Sequence, residues 1–508
     1  MDEFSKRIAA LSPAKRALLK KRLQKENIDL DIPGIDGEKS KIPPIKPVEK
    51  KDYYPLSSVQ KRLFLVDQLE ETGLAYNVPV FREITGNTGK KHIEDIFKTL
   101  VKRHETFRTS FQFIAGEPVQ RVHEPIDFQI DYYDLEEEDS KLPIPNITGN
   151  FIRPFALSKA PLLRVGLIKL PGGRAILMMD MHHIISDQAS KRVLVKEFFS
   201  LYSGRVLPRL MIQYKDFAQW HDNGPVKAAL KTQETYWLQE FSGEIPVLNL
   251  PGDYPRPQEK DYSGSSLSFK IGEKDTALLK TLALKENTTL FILVFSLYLV
   301  FLSKISNQKD IVVGTPVIGR SHAGLESIIG MFVNTLPLRN RLDEDQSFNV
   351  FLQGIKKRTL EAFENRDYLF EDLVNRVVKS RDTARNPIFD VFFTFTYPDV
   401  KHIQPAVSFQ DEAETAPEAT DSVNESGYSM FDMFLFGAEI GEELFFGVTY
   451  STGLFKKRTV ERFIKYFREI VSAVGANDRV KLKDIEISHD LGIAKVEDFH
   501  DEDEEFGF

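Results

Sequence analysis

The sequence predicts an α/β chain divided into two similar lobes. Its 508 residues, 42% hydrophobic and 11% aromatic, supply a large core but exceed one ordinary domain, so two lobes are expected. Short β-rich runs alternate with stretches of helical period, and the alternation recurs in the second half of the chain. No clean repeat of sequence relates the two series.

In chain order, Ser12 followed by Pro13 reads as an N-cap and first helical position, opening a basic amphipathic helix to about Gln24. Asn27 to Asp52 is rich in Pro, Gly and charge, a linker composition, so residues 1–52 are assigned to a helix and linker. The first lobe, 53–225, is expected to carry strands at Val78–Ile84 and Ala175–His183 and helices at Ile93–His104 and Lys191–Leu201. The second, 226–487, is expected to carry a strand at Leu267–Ile271, helices at Asp275–Glu286 and Leu290–Ile305, the latter capped by Thr288 or Thr289, and a strand at Ile311–Val317. Lys401 to Gly427 reads as an exposed polar loop, followed by strands at Met430–Ala438 and Leu444–Tyr450 and a helix from Lys456 to Val474. Residues 488–508 form an acidic tail.

Charge and composition narrow the function classes. Lys plus Arg number 67 against 75 Asp plus Glu, a net charge of -8, so the clustered positive charge of a nucleic-acid binder is missing. With no cysteine, disulfides, thiolate metal sites and cysteine nucleophiles are excluded, in keeping with a reducing cytoplasm. The first residues lack the apolar core of a secretory signal. The most apolar run, Leu290 to Leu302, is well short of the roughly 20 residues that span a bilayer and reads as a buried helix.

Several familiar motifs fail. His104-Glu105-Thr106-Phe107-Arg108 starts like a helical zinc signature but has Arg where the second ligand must stand, and Gly86 to Lys90 is too short for a phosphate loop. No Gly-x-Ser-x-Gly is present, which removes that type of serine hydrolase, and no metal-ligand set emerges.

The tract Ala175 to Asp187 (AILMMDMHHIISD) is different. An apolar strand-like run ends in two histidines, and a helical pattern starts just beyond, the kind of junction where α/β folds place functional groups. Side chains alternate across a strand, so His182 and His183 should point to opposite sides, one chemical and one structural. Histidine suits proton transfer near neutral pH. Asp187 is placed to cap the helix, to pair with an arginine or to orient an imidazole. On the residues alone, such a cluster is structural more often than catalytic.

These residues resemble the condensation domains of nonribosomal peptide synthetases, whose core signature is His-His-x-x-x-Asp-Gly. Here it reads His182-His183-Ile184-Ile185-Ser186-Asp187, with Gln188 in place of the glycine. Seven further segments match the family's order: Tyr54–Leu63, Arg103–Thr109, Tyr214–Trp220, Gly314–Arg320, Gly330–Thr335, Arg366–Glu371 and Arg385–Phe389. Together they cover Tyr53 to about Ile487.

The resemblance implies two chloramphenicol acetyltransferase-like lobes in a V-shaped arrangement with a central active-site tunnel. It implies that a thioester on one phosphopantetheine arm is attacked by the amine on another. His183 is then the catalytic residue, His182 supports it, and Asp187 stabilises the fold with Arg320 as its partner. Asn334, Tyr54 and Asn386, in matched segments, are read as packing, strand-pairing and turn residues. The arms belong to upstream and downstream carrier proteins, an adenylation domain serves the same assembly line, and no cofactor is bound by the chain itself. Gln188, beside the catalytic tract, is a candidate modulator of the tunnel. Arg103-His104-Glu105-Thr106 and Gly330-Met331-Phe332-Val333-Asn334 look closer to members taking an L-configured donor. Two rivals stand beside this reading. One is a free-standing acyltransferase using coenzyme A, whose plant-type Asp-Phe-Gly-Trp-Gly motif is missing here; the other is a catalytically silent member that only recruits carrier proteins.

Overall fold

The computed structural model describes residues 43–488 apart from 70–72, 75, 87, 125, 136–143, 381 and 397–426. The expected helix from Ser12 to Gln24, most of the Lys401–Gly427 loop and nearly all of the acidic tail lie outside the described residues.

The chain forms two compact units. The first runs to Gln239 and takes in Ile318–Val333 and Asp367–Leu373; the second holds the rest. The sequence suggests a single boundary at 225/226, and the structure differs. The helices that follow that point stay with the first unit because Val226 and Trp237 are buried and Gln233 Oε1 accepts from the amides of Asp367 and Tyr368 at 2.9 and 3.0 Å.

The first unit holds strands β1 (Tyr54–Pro55), β2 (Asn77–Thr85), β3 (Thr109–Ile114), β4 (Glu117–Val122), β5 (Asp131–Asp134), β6 (Leu163–Leu170) and β7 (Arg174–His182). They form a three-stranded sheet in the order β1-β4-β3 and a four-stranded sheet in the order β2-β7-β6-β5. Strand β7 is paired on both edges and buried from Ala175 to His182, which is why its sequence is a near-continuous apolar run instead of an alternating one. The helices are α1 (Ser58–Leu69), α2 (Lys90–Arg103), α3 (Ile144–Phe151), α4 (Gln188–Tyr202), α5 (Tyr214–His221), α6 (Gly224–Ala229) and α7 (Lys231–Glu240). Helix α2 lies against α4, with Phe97 and Phe198 rings 5.5 Å apart.

The Pro-rich stretch read as linker is anchored where it is described. Trp220 Nε1 donates to the Pro43 carbonyl at 2.7 Å, the Val48 amide donates to Asp216 Oδ1 at 2.9 Å, and Ile45 is buried in a cluster with Ile212, Tyr214, Phe217 and Phe332. Isolated apolar residues between prolines supply this anchoring, which composition averages hide.

The second unit is built on one mixed six-stranded sheet. Its strands are β8 (Gly264–Ile271), β9 (Asp310–Val317), β10 (Asn334–Arg341), β11 (Val391–Thr396), β12 (Met433–Ile440) and β13 (Glu443–Ser451), in the order β10-β9-β11-β12-β13-β8. Its helices are α8 (Glu273–Lys285), α9 (Leu290–Ser306), α10 (Phe348–Glu364) and α12 (Lys457–Ala476); α11 (Phe370–Val377) is crossed by the division at Leu373. Helix α9 is the apolar run read as a buried helix. Thr289 caps it by accepting from the Ile292 amide at 3.2 Å, and its Phe295 and Tyr298 pack on Phe393 of β11 at 5.4 and 5.8 Å. Among the described residues no single helix is long and apolar enough to cross a membrane; α8 and α9 pass only as a pair, bent by 109°.

Candidate functional site

Strand β7 ends at His182, one residue earlier than expected, and His183–Ile185 forms a 3-10 turn before α4 starts at Gln188. The histidines therefore occupy different local structures. His182 caps the turn: its Nδ1 accepts from the Ile184 amide at 3.1 Å, which commits that nitrogen to its unprotonated form. Its ring lies 6.0 Å from Tyr76 and edge-on to Phe155 at 6.3 Å. Burial, with a smaller push from His183, lowers its pKa to about 3. Its ring is therefore neutral at neutral pH.

His183 is the partly exposed residue of an otherwise buried tract from Ala175 to Asp187. Its backbone amide donates to the Tyr76 carbonyl at 2.8 Å, and the Ser186 amide donates to its carbonyl at 3.2 Å, so both flanks of the residue are fixed. Among the described residues its Nδ1 is buried without a hydrogen bond. Desolvation lowers its pKa, against the pull of the Asp187 charge and nearby backbone, so the ring is neutral at neutral pH. Gln60 Nε2 of α1 donates to the Ile184 carbonyl at 3.3 Å and ties the turn to a second element.

Asp187 does two of the three things its position allowed. It caps α4, with Oδ1 accepting from the Ser190 amide at 2.7 Å, and it pairs with Arg320, whose Nη2 donates to Oδ1 at 3.1 Å. Its Oδ2 accepts from the Phe332 amide at 3.0 Å. Arg320 also donates through Nη1 to the carbonyls of Leu325 and Ile328, both at 2.5 Å, and its guanidinium lies 4.1 Å from the centre of the Phe332 ring.

Sequence reasoning missed the residues that join these parts. Ser190 Oγ donates to the Gly330 carbonyl at 2.7 Å and accepts from Arg320 Nη2 at 2.8 Å and from the Gly330 amide at 3.0 Å. Tyr214 OH donates to the Met331 carbonyl at 2.6 Å and is 2.9 Å from Ser57 Oγ. Gly330 is required for that contact, because a Cβ there would stand 1.9 Å from Tyr214 Cδ2. Four of the matched segments, through Ser57 and Gln60, Tyr214, Arg320, and Gly330 to Phe332, thus meet around the His182–Asp187 tract.

Other matched segments do not join it. Arg103 Nε and Nη2 grip Glu197 at 3.0 to 3.2 Å, and His104 Nε2 is 2.7 Å from Glu197 Oε2, a cluster that binds the end of α2 to α4. Asn334 and Asn386 belong to the second unit. Asn334 Nδ2 donates to the Arg366 carbonyl at 2.8 Å, and Asn386 Nδ2 donates to the Met430 carbonyl at 3.0 Å. Gln188, the exposed first residue of α4, stands immediately after Asp187.

A neutral, partly exposed histidine on a rigid turn can accept a proton, or hold one in a hydrogen bond, without rearrangement. Comparison with known proteins places this arrangement. The Condensation domain family model matches residues 50–495. Gramicidin S synthase 2 of Brevibacillus brevis is 43% identical over 443 residues, covering 87% of this chain and 10% of that protein. Tyrocidine synthase 3 of Brevibacillus parabrevis is 42% identical over 443 residues, 87% of this chain and 7% of that protein. The chain thus spans only a small part of these relatives.

Among solved structures, a four-domain nonribosomal peptide synthetase bound to AMP and glycine superposes with a TM-score of 0.74 at 22% identity, over 87% of this chain and 34% of that one. The X-domain from teicoplanin biosynthesis, in complex with OxyB, superposes at 0.76 and 20% identity, over 88% of this chain and 99% of that one. At such identities the superpositions speak for the fold, while the family match spans both units and the whole His182–Asp187 tract. This chain belongs to the condensation-domain family of nonribosomal peptide synthetases, whose members catalyse amide-bond formation, an acyltransferase reaction.

Proposed function

We propose that this chain joins two carrier-bound building blocks, and that His183 is its catalytic residue. The amine of an acceptor aminoacyl thioester attacks the carbonyl of a donor thioester, the C–N bond forms, the C–S bond breaks, and the thiol stays on the donor's phosphopantetheine arm. A thioester is already activated, so the protein's task is alignment of an unprotonated amine. His183 carries the reading because it alone in the His182–Asp187 tract combines partial exposure, a fixed backbone and a ring held neutral. A neutral imidazole serves either as base for the amine proton or as a hydrogen-bonding positioner of the amine and the tetrahedral intermediate.

The arms come from upstream and downstream carrier proteins, and an adenylation domain loads the acceptor; the setting is the cytoplasm, with which the cysteine-free composition agrees. The donor is of the L type, on the reading of Arg103–Thr106 and Gly330–Asn334. Gln188 controls which donors reach His183, since it is exposed at the start of α4 where the family signature has glycine.

The same exposed Gln188 favours a second reading, a catalytically silent domain that recruits a partner, as the teicoplanin X-domain is found with OxyB. Mixing the protein with two aminoacyl-loaded carrier proteins and following the intact mass of the downstream carrier separates the cases. A dipeptidyl carrier supports condensation. No dipeptide for any pair, with carrier binding retained, supports recruitment, and transfer from coenzyme A thioesters alone supports the free-standing acyltransferase.

A further inference from the structure

Strand β7 carries a carboxylate in the middle of its apolar run. Asp180 is fully buried, two residues before His182 and therefore on the same side of the strand. Its Oδ2 accepts from Arg164 Nη1 at 2.9 Å and from Asn77 Nδ2 at 2.7 Å. Arg164, on neighbouring β6, also donates to the carbonyls of Arg153 and Pro154 at 2.5 and 2.7 Å, and Asn77 donates to the same Arg153 carbonyl at 2.9 Å. The segment Arg153–Phe155 is thereby fastened to the sheet. The Arg164 guanidinium lies 3.6 Å from the centre of the Phe155 ring, close enough for a strong cation–π contact, and Phe155 meets the His182 ring edge-on.

A buried charge is costly unless it is paired, and an apolar residue at position 180 would avoid the cost altogether. What the pair adds is placement. Asp180 sets the Arg164 fork, the fork sets the plane of Phe155, and Phe155 walls one side of His182. His182 in turn holds the Ile184 amide and with it the turn that carries His183. Building on the proposed role of His183, we infer that Asp180 and Arg164 are positioning residues for that site, acting through Phe155 and His182.

The test uses the whole chain with 15N-labelled histidine, reading the imidazole resonances and, separately, single-turnover transfer between two loaded carrier proteins. Asp180→Asn keeps the shape and the contact to Asn77 but removes the charge that grips Arg164. Arg164→Lys keeps the charge but loses the planar stack, and replaces Asp180→Asn should that variant fail to fold. Expected are shifted His182 and His183 imidazole resonances, a fall in transfer rate of roughly ten- to a hundredfold, and unchanged carrier binding. Unshifted resonances overturn the inference whatever the rate does, and shifted resonances with an unchanged rate overturn it for catalysis. If the unaltered protein forms no dipeptide yet the resonances shift, the placement of His183 stands and the proposed function falls.

Discussion

Arg320 reaches across 133 residues of sequence to donate to Asp187 at 3.1 Å, and the two side chains are only 5% and 1% exposed. A pair withdrawn this far from water contributes through what its absence leaves behind. Removing one partner strands the other charge, at a cost of about 3–5 kcal/mol.

Asp187→Ala therefore loses folding stability more than any chemical step. It removes the pair, the cap of α4, itself worth about 1 kcal/mol, and the acceptor for the Phe332 amide. Denaturant unfolding should show a much lower midpoint for Asp187→Ala and for Arg320→Ala. An unchanged midpoint would remove the structural assignment of the pair.

Gly330→Ala is expected to act on the same region by sterics. The added methyl collides with Tyr214, and relief requires moving a ring that hydrogen-bonds Met331 and Ser57. A loss of about 1–3 kcal/mol is expected, read by the same unfolding measurement. Alanine at Gly116, where a Cβ meets nothing within 4 Å but φ is +84°, costs backbone strain alone and serves as the comparison.

Stability should fall with acidification. His182 is lowered from 6.5 to about 3, and His183, His104 and His221 are lowered as well, all chiefly by burial. Below pH 6.5 the unfolded chain binds protons that the folded chain refuses, so each such histidine subtracts up to about 1.4 kcal/mol per pH unit on the way down. Asp180 works the other way. Burial raises it from 3.8 to about 6, so its contribution is present below 3.8 and is lost as pH rises through about 6. Asp390, raised chiefly by burial as well, acts in the same direction, and the four buried histidines outweigh these two carboxyls. Unfolding midpoints should be level from pH 8 to 7 and decline below 6.5; a level profile to pH 5 would contradict the neutral assignment of the pair at the site.

Gln188→Gly separates substrate control from folding. Placed at the exposed start of α4, glycine should cost no more than about 1 kcal/mol. Competition between a bulky and a small donor should then shift toward the bulky one, and an unaltered ratio would return Gln188 to the role of a solvated helix residue.

The junction at His182–Asp187 was legible because three signals coincide there: the end of an apolar run, a change of period and an acidic residue at a helix start. The cap formed by Asp187 follows from its position alone, whereas Arg320 as its partner rests on the family resemblance, since pattern reasoning does not span 133 residues. Ser190 was missed because a serine in the first turn of a helix is ordinary, and its three contacts depend on where residues 330 and 320 return. Asp180 did leave a trace, a charge inside a buried strand, but the apolar average of the run concealed it. The division into units eluded sequence reading because the first unit reclaims Ile318–Val333 and Asp367–Leu373, and such returns are set by packing, not by local composition.

On the proposed function, His183 performs the chemistry while Asp187 and His182 hold it in place. The most direct test is transfer between two loaded carrier proteins, measured for the unaltered chain and for His183→Ala alongside thermal melts of both. Expected are dipeptidyl carrier from the unaltered chain, a fall of at least about a hundredfold for His183→Ala, and a melting temperature close to that of the unaltered chain. A His183→Ala variant that melts normally and still forms the dipeptide at an undiminished rate would contradict the claim.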